Sequence, residues 1–298
     1  MPFHNPVLLN ESIKGLNIKP NGVYVDATFG GGGHSKLILE HLDDGQLFAF
    51  DQDQVTQDNI LSDNRFKLIN TNFRYIKSFL RMEGIEKIDG LLADLGVSSY
   101  QFDNADRGFS IRFESELDMR MNTETIITAK EIINNYSEEN LSKIFYEYGE
   151  LRNSRQIARE ILHKREVAPI ITTIDLINSI SHLSPLRKKN QFLARVFQSI
   201  RIEVNEEIAS LKDMLKSAIE LLNKTGRLVV LSYHSIEDRL IKNLFKKGNF
   251  EGDVEKDFYG NIIRPFKEIN NKIIVASAEE IRSNPRSRSA KLRIAEKI

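Results

Sequence analysis

Apolar residues in the first third of the chain fall into short runs, several of which end on an acid. Val23-Tyr-Val25 closes on Asp26, Leu47-Phe-Ala-Phe50 on Asp51, and Ile88-Asp-Gly-Leu-Leu-Ala93 on Asp94. Runs this short, rich in β-branched and aromatic residues, predict buried strands. The last is almost wholly apolar, which predicts a central place in a parallel sheet. Phe66–Asn70 reads as a further strand. Between the first two runs lie Gly30 to Gly33, then Ser35 and a periodic set, Leu37, Ile38 and Leu42, that predicts a helix. A strand, a glycine turn and a helix N-terminus make half of a nucleotide-binding βαβ unit, because glycine lets the backbone approach a ligand.

The pattern then changes. Residues 100–121 alternate charge with aromatics without clear periodicity, which predicts an ordered loop over the site. From Thr123 to about Lys189 the spacing is helical. Ser137 reads as an N-cap before Leu141, Ile144, Phe145 and Tyr148, with Gly149 as a stop; Thr172 and Asp175 have capping-box spacing. With no strand signal here, this predicts a helical domain inserted in an α/β domain. Asn205 reads as the cap of a long amphipathic helix closed by Gly226, followed by a strand at Arg227–Ser232; Ser235 and Asp238 have capping-box spacing after it. Stretches 273–276 and 290–295 read as a closing hairpin, giving seven strands.

Composition narrows the function classes. In 298 residues, 41% hydrophobic content is enough for a large core. Lys+Arg and Asp+Glu both number 42, so nucleic-acid binding would need local clustering of charge. The insert supplies such clustering: Arg152, Arg155 and Arg159 at helical spacing, then Arg187, Lys188, Lys189 and Arg195. They fit either a solvated surface or a phosphate-contacting one. The absence of cysteine excludes disulfides and thiolate chemistry and agrees with a cytoplasmic setting. The six histidines lack metal-ligand spacing, so no metal is expected. Neither a signal peptide nor a membrane-spanning run is read.

The glycine turn lacks the third glycine of a dinucleotide fingerprint and the Gly-Lys-Ser/Thr of a Walker loop. The spacing Asp26, Gly30, Gly32 resembles motif I of S-adenosylmethionine-dependent methyltransferases, with Asp51 as the acid that follows on the next strand. Further stretches extend the likeness: Val7-Leu-Leu9, Asp94-Leu-Gly-Val-Ser-Ser99, Arg107-Gly-Phe-Ser110, Leu117-Asp-Met-Arg-Met121, Phe197–Asn205, Tyr233-His-Ser-Ile-Glu-Asp-Arg239 and Asn284-Pro-Arg-Ser-Arg-Ser289. Together they resemble the bacterial small-subunit ribosomal RNA cytosine-N4 methyltransferases, the RsmH/MraW family. Departures include Leu193-Ala-Arg-Val-Phe197 and a tyrosine at 233 where phenylalanine is common.

The resemblance implies a Rossmann-like, seven-stranded S-adenosylmethionine-dependent methyltransferase sheet (1–122 and 191–298) with an inserted all-helical RNA-recognition domain (123–190). It implies a cofactor site of Asp26, Gly30, Gly32, Gly33, His34, Asp51, Phe73, Asp94 and Gln101. The substrate implied is a cytosine in the decoding region of 16S ribosomal RNA, within the small ribosomal subunit; a homodimer is left open. Asp94 is the first candidate for proton acceptor, since an acceptor helps a delocalised amine attack. Backbone carbonyls at Leu95 or Gly96 are the alternative, and His234 and Ser235 are candidate base contacts. Tyr100, Phe109, Arg152, Arg155 and Arg195 are the expected RNA contacts. The competing readings are a DNA amine methyltransferase, a non-catalytic RNA-binding assembly factor and a nicotinamide-dependent oxidoreductase.

Overall fold

The computed structural model describes residues 6–98, 101–102, 104–270 and 272–298. The chain forms two compact units. One takes the chain up to Gly96 and again from Ile208 to Ile298; the other is Val97–Glu207.

The first unit holds a seven-stranded sheet: β1 (Val23–Asp26), β2 (Gln46–Asp51), β3 (Phe66–Asn70), β4 (Ile88–Asp94), β5 (Leu222–Ser232), β6 (Phe266–Glu268) and β7 (Lys291–Lys297). Their order is β3-β2-β1-β4-β5-β7-β6. Strands β1 to β5 run parallel, while β7 lies antiparallel to both β5 and β6. Alternation along each strand sends side chains to opposite faces. Val25, Phe48, Phe50, Leu91, Ala93, Leu228 and Val230 pack with Leu80, Leu215 and Ile241, which come from helices Ile76–Met82, Glu207–Leu221 and Ser235–Lys247. Tyr24, Leu47, Leu92, Val229 and Leu231 pack with Leu16 and Ile38, from helices Leu9–Leu16 and Gly33–Glu40. The chain builds outward from β1 to β3 and returns to place β4 beside β1. That reversal opens a crevice at the carboxyl ends of the strands, where ligands of open α/β sheets bind.

Two expectations fail at the sheet's far edge. The β-branched stretch 273–276 is not a strand, because only Ile274 bridges β7 and both Ile273 and Val275 are exposed. The seventh strand is instead β6, anchored by the fully buried Phe266, and three residues carry too little periodicity to be read. Strand β5 also begins at Leu222, five residues before the expected start.

The second unit contains helices Ala129–Asn135, Glu138–Glu147, Ser154–Val167, Thr173–Ile180 and Lys189–Val204 around one core. Ser137 caps its helix and Thr172 and Asp175 form a capping box as expected, each cap being worth about 1 kcal/mol. This unit is wider than the 123–190 expected. Phe109, Leu117, Met119 and Met121 share its core with Phe192, Val196 and Ile200, so the irregular segment before the helices and the helix after them both belong to it. Asn205 ends helix Lys189–Val204 rather than starting the next. Its side-chain amide donates to Met119 O (2.8 Å) and Arg201 O (2.9 Å), and its carbonyl accepts from Met121 N (2.7 Å). A helix-start reading is natural for asparagine, and these long-range partners overrule it. Arg107 completes the clamp by donating to the carbonyls of Arg120 and Met121. Among the described residues no helix is long and apolar enough to cross a membrane.

Candidate active site

The turn after β1 is stitched to both neighbouring strands: Ala27 N donates to Leu92 O (2.8 Å) and Phe29 N to Phe50 O (2.9 Å). Asp26 is fully buried. One of its oxygens accepts from Thr28 N (3.1 Å) and the other from Ser35 Oγ (2.7 Å). It therefore braces the turn against the first turn of helix Gly33–Glu40 and acts on any ligand through the loop. Gly30 and Gly32 have φ of 51° and 75°, in the left-handed region. A side chain on Gly30 or Gly31 would meet nothing, whereas one on Gly33 would lie 2.2 Å from Pro6 Cγ. The backbone is thus open on one side and closely backed on the other, as a ligand cradle requires. His34 follows, buried, with Nε2 lacking any hydrogen-bond partner among the described residues. Burial lowers its pKa, opposed by Asp94 and by a hydrogen bond to the Val7 backbone.

At the tip of β2, Asp51 accepts from Gly30 N (2.8 Å) and from Asp53 N (2.9 Å). Asn70 Nδ2 ties the same corner by donating to the carbonyls of Asp51 (3.0 Å) and Asp53 (3.3 Å), and Asn59 Nδ2 donates to Gly30 O (3.1 Å). Phe73 is half-buried against the sheet core just past β3, where Asn72 Oδ1 caps its turn by accepting from Arg74 N.

At the tip of β4, Asp94 N donates to Thr28 Oγ1 (2.7 Å) and Asp94 Oδ1 accepts from the Tyr233 hydroxyl (2.7 Å). Burial pushes the carboxyls of Asp26, Asp51 and Asp94 each up to about 6, against the hydrogen bonds they accept. Their charges also raise one another: Asp26 acts on both Asp51 and Asp94. When ionised, this crevice carries strong negative potential and suits a cation that also bears hydroxyls.

Next to Asp94, His234 is the N-cap of helix Ser235–Lys247 and Glu237 completes the capping box. Glu237 Oε2 accepts from Tyr233 N (2.9 Å) and His234 N (3.3 Å). The expected capping pair, Ser235 with Asp238, is therefore displaced by one residue. Ser235 lies exposed at the first helical position, and Asp238 pairs with Arg293 at 2.7 Å. Pairing of His234 with Glu237 was hard to read because histidine is an unusual cap.

The sheet unit thus joins Asp26, Gly30, Asp51, His34 and Asp94 through hydrogen bonds and mutual electrostatics; Phe73, His234 and Ser235 stand in the same unit, at or just past the carboxyl ends of β3 and β5. Gln101 belongs to the other unit, where it is buried and exchanges hydrogen bonds with Ser98 (3.1 and 3.2 Å). Tyr100 lies outside the described residues. Phe109 is 5% exposed in the helical core, so the stacking surface expected of it is not offered; Phe113, 43% exposed, does offer one. Arg152 stands in the turn before helix Ser154–Val167 rather than on its face, and Arg159 pairs with Glu138 at 2.8 Å. Arg152, Arg155 and Arg195 are exposed. Tyr233, Glu237 and Thr28 were not read as site residues; the signal for Tyr233 was its place just beyond a strand that pairs with β4.

A family model described as the MraW methylase family matches residues 1–298. Ribosomal RNA small subunit methyltransferase H of Phocaeicola vulgatus is 56% identical over 296 residues, covering 99% of this chain and 97% of that protein. The proteins of that name from Parabacteroides distasonis and Flavobacterium johnsoniae are 53% and 54% identical. They cover 99% and 100% of this chain, and 98% and 99% of their own lengths are matched.

Proposed function

The chain belongs to the MraW methylase family and is an S-adenosylmethionine-dependent methyltransferase of small-subunit ribosomal RNA; we propose that its target is the exocyclic N4 amine of a cytosine in the decoding region. The observation that carries this reading is the carboxylate of Asp94 at the tip of β4. Tyr233 occupies its Oδ1, and no described residue donates to its Oδ2.

The residues fit the donor. Gly30 and Gly31 leave their backbone open to it, and the unpartnered Nε2 of His34 is a buried polar atom that an ammonium group would satisfy. Asp51 keeps further lone pairs for ribose hydroxyls, and Phe73 offers the face that borders the adenine. When bound, the donor supplies a methyl group already made electrophilic by its sulfonium.

The protein's own work is then positional and electrostatic. The cytosine amine is a weak nucleophile because its lone pair is delocalised into the ring. Asp94 Oδ2 accepts an amine hydrogen, lets the nitrogen pyramidalise and stabilises the positive charge that develops on it. Holding the two reactants in line contributes several kcal/mol more. A base must leave its stack to enter such a site. In the second unit, the exposed Phe113 ring suits an unpaired base of the RNA, and the exposed Arg152, Arg155 and Arg195 suit its phosphates. The reaction then takes place on RNA within the small subunit, in the cytoplasm.

The deciding experiment is transfer of a radiolabelled methyl group onto small subunits from a strain lacking this protein, with the modified nucleotide mapped. A label on another base, on DNA, or on nothing rejects the assignment. Changing Arg152, Arg155 and Arg195 together to Ala is expected to weaken RNA binding at least tenfold. It should also flatten the dependence of log affinity on log salt by about 0.7 for each phosphate the protein no longer neutralises. An unchanged salt slope would remove these residues from the interface.

A further inference from the structure

Tyr233 stands one residue beyond β5, and β5 pairs with β4 so that Leu231 lies opposite Asp94. From there the phenol returns to the β4 tip and donates to Asp94 Oδ1 at 2.7 Å. Its backbone is not free to drift. Tyr233 N donates to Glu237 Oε2 (2.9 Å), and Glu237 is itself buried and held as the third residue of the capped helix. On the other side, a side chain on Gly96 would lie 3.7 Å from the Tyr233 ring. The helix cap thus fixes the backbone, the backbone fixes the ring, and the ring fixes the carboxylate.

The groups facing Asp94 are His34, Asp26, Glu237 and Tyr233. Two of them are acids that oppose its ionisation; His34, when charged, favours it more than the Tyr233 hydrogen bond does, but burial holds His34 toward its neutral form. Among the described residues, Tyr233 alone donates a side-chain hydrogen bond to this carboxylate. The phenol is a permanent donor, since burial and the neighbouring carboxylate push its pKa far above the usual range.

Resting on the methyl-transfer reading above, we propose that Tyr233 is a positioning residue for the reaction: its hydroxyl orients and holds ionised the Asp94 carboxylate, so that Oδ2 is the oxygen presented to the amine. Tyr233→Phe keeps the ring and deletes only this bond. A carboxylate that loses one such donor is expected to titrate about one pH unit higher.

The test is a titration of the free protein labelled with ¹³C at aspartate carboxyls, with the Asp94 signal assigned by its loss in Asp94→Asn. The midpoint should rise by about one unit in Tyr233→Phe and fall when 3-fluorotyrosine, a stronger donor of nearly the same shape, replaces Tyr233. In methyl transfer, the acid limb should move up with it, so that the deficit of Tyr233→Phe is about fivefold larger at pH 6 than at pH 8.5. An Asp94 midpoint identical in all three proteins overturns the proposal, and the fluorinated protein decides should Tyr233→Phe not fold. A wild-type protein that leaves small-subunit RNA unmethylated overturns instead the functional reading. The titration, made without donor or RNA, separates the two failures.

Discussion

Changing Asp94 to Asn is expected to reduce methyl transfer by about three orders of magnitude, within the range found for lost general bases, while donor affinity at pH 8 falls less than tenfold. The substitution keeps the size and planarity of the group. Asp94 N still donates to Thr28 Oγ1, and the amide oxygen can still accept from the Tyr233 hydroxyl. What disappears is the charge, and with it both the proton acceptor and the potential that steadies a developing cation on the amine. In the proposed site the cradle and ribose contacts fall to other residues, Gly30 to Gly33 and Asp51, so the donor should still bind. Single-turnover transfer onto small subunits, alongside calorimetry with the donor, reads the two effects separately. Near-normal turnover by Asp94→Asn would move the acceptor role to a backbone carbonyl such as that of Leu95 or Gly96.

How much of this was legible in the chain depended on the range of the interactions. Asp26, Asp51 and Asp94 could be read because each ends its own apolar run, and Ser137 and Thr172 could be read because a cap needs only the next three residues. Residues whose place depends on distant partners were misread or missed. Asn205 looks like a helix start until Met119 and Met121 claim its side chain. Phe109 looks like an exposed stacking ring until the helical core closes around it. Tyr233 meets Asp94 across 139 residues of sequence, through a sheet register that no local pattern specifies. Asp26 illustrates a subtler limit. Its position was legible, but its role as a brace depends on where its two oxygens go.

Affinity for the sulfonium donor is expected to fall between pH 7.5 and pH 5, approaching about tenfold per pH unit below 6 through Asp51, with a smaller contribution from Asp94, whose neutralisation costs less than tenfold. Asp26, Asp51 and Asp94 all sit near 6, well above the ordinary value of 3.8. Between those two values the folded, unliganded protein holds protons that the unfolded chain has released. Stability contributed by these groups is therefore lost as pH rises through the window from about 4 to about 6. A cation in the crevice reverses the balance by favouring the ionised forms, so its binding expels protons near pH 6. The demethylated by-product carries the same amino and carboxyl groups but no sulfonium charge, so it should lose less affinity over the same range. The ratio of the two affinities then isolates the crevice carboxyls from the ligand's own titration. Calorimetry in two buffers of different ionisation heat would measure the proton release directly. The donor should also raise the melting temperature more at pH 8, where the empty crevice is most strained by its own charge, than at pH 5. Equal donor affinity at pH 5 and pH 7.5 would mean that these carboxylates do not feel the sulfonium, and would move the cation elsewhere in the protein.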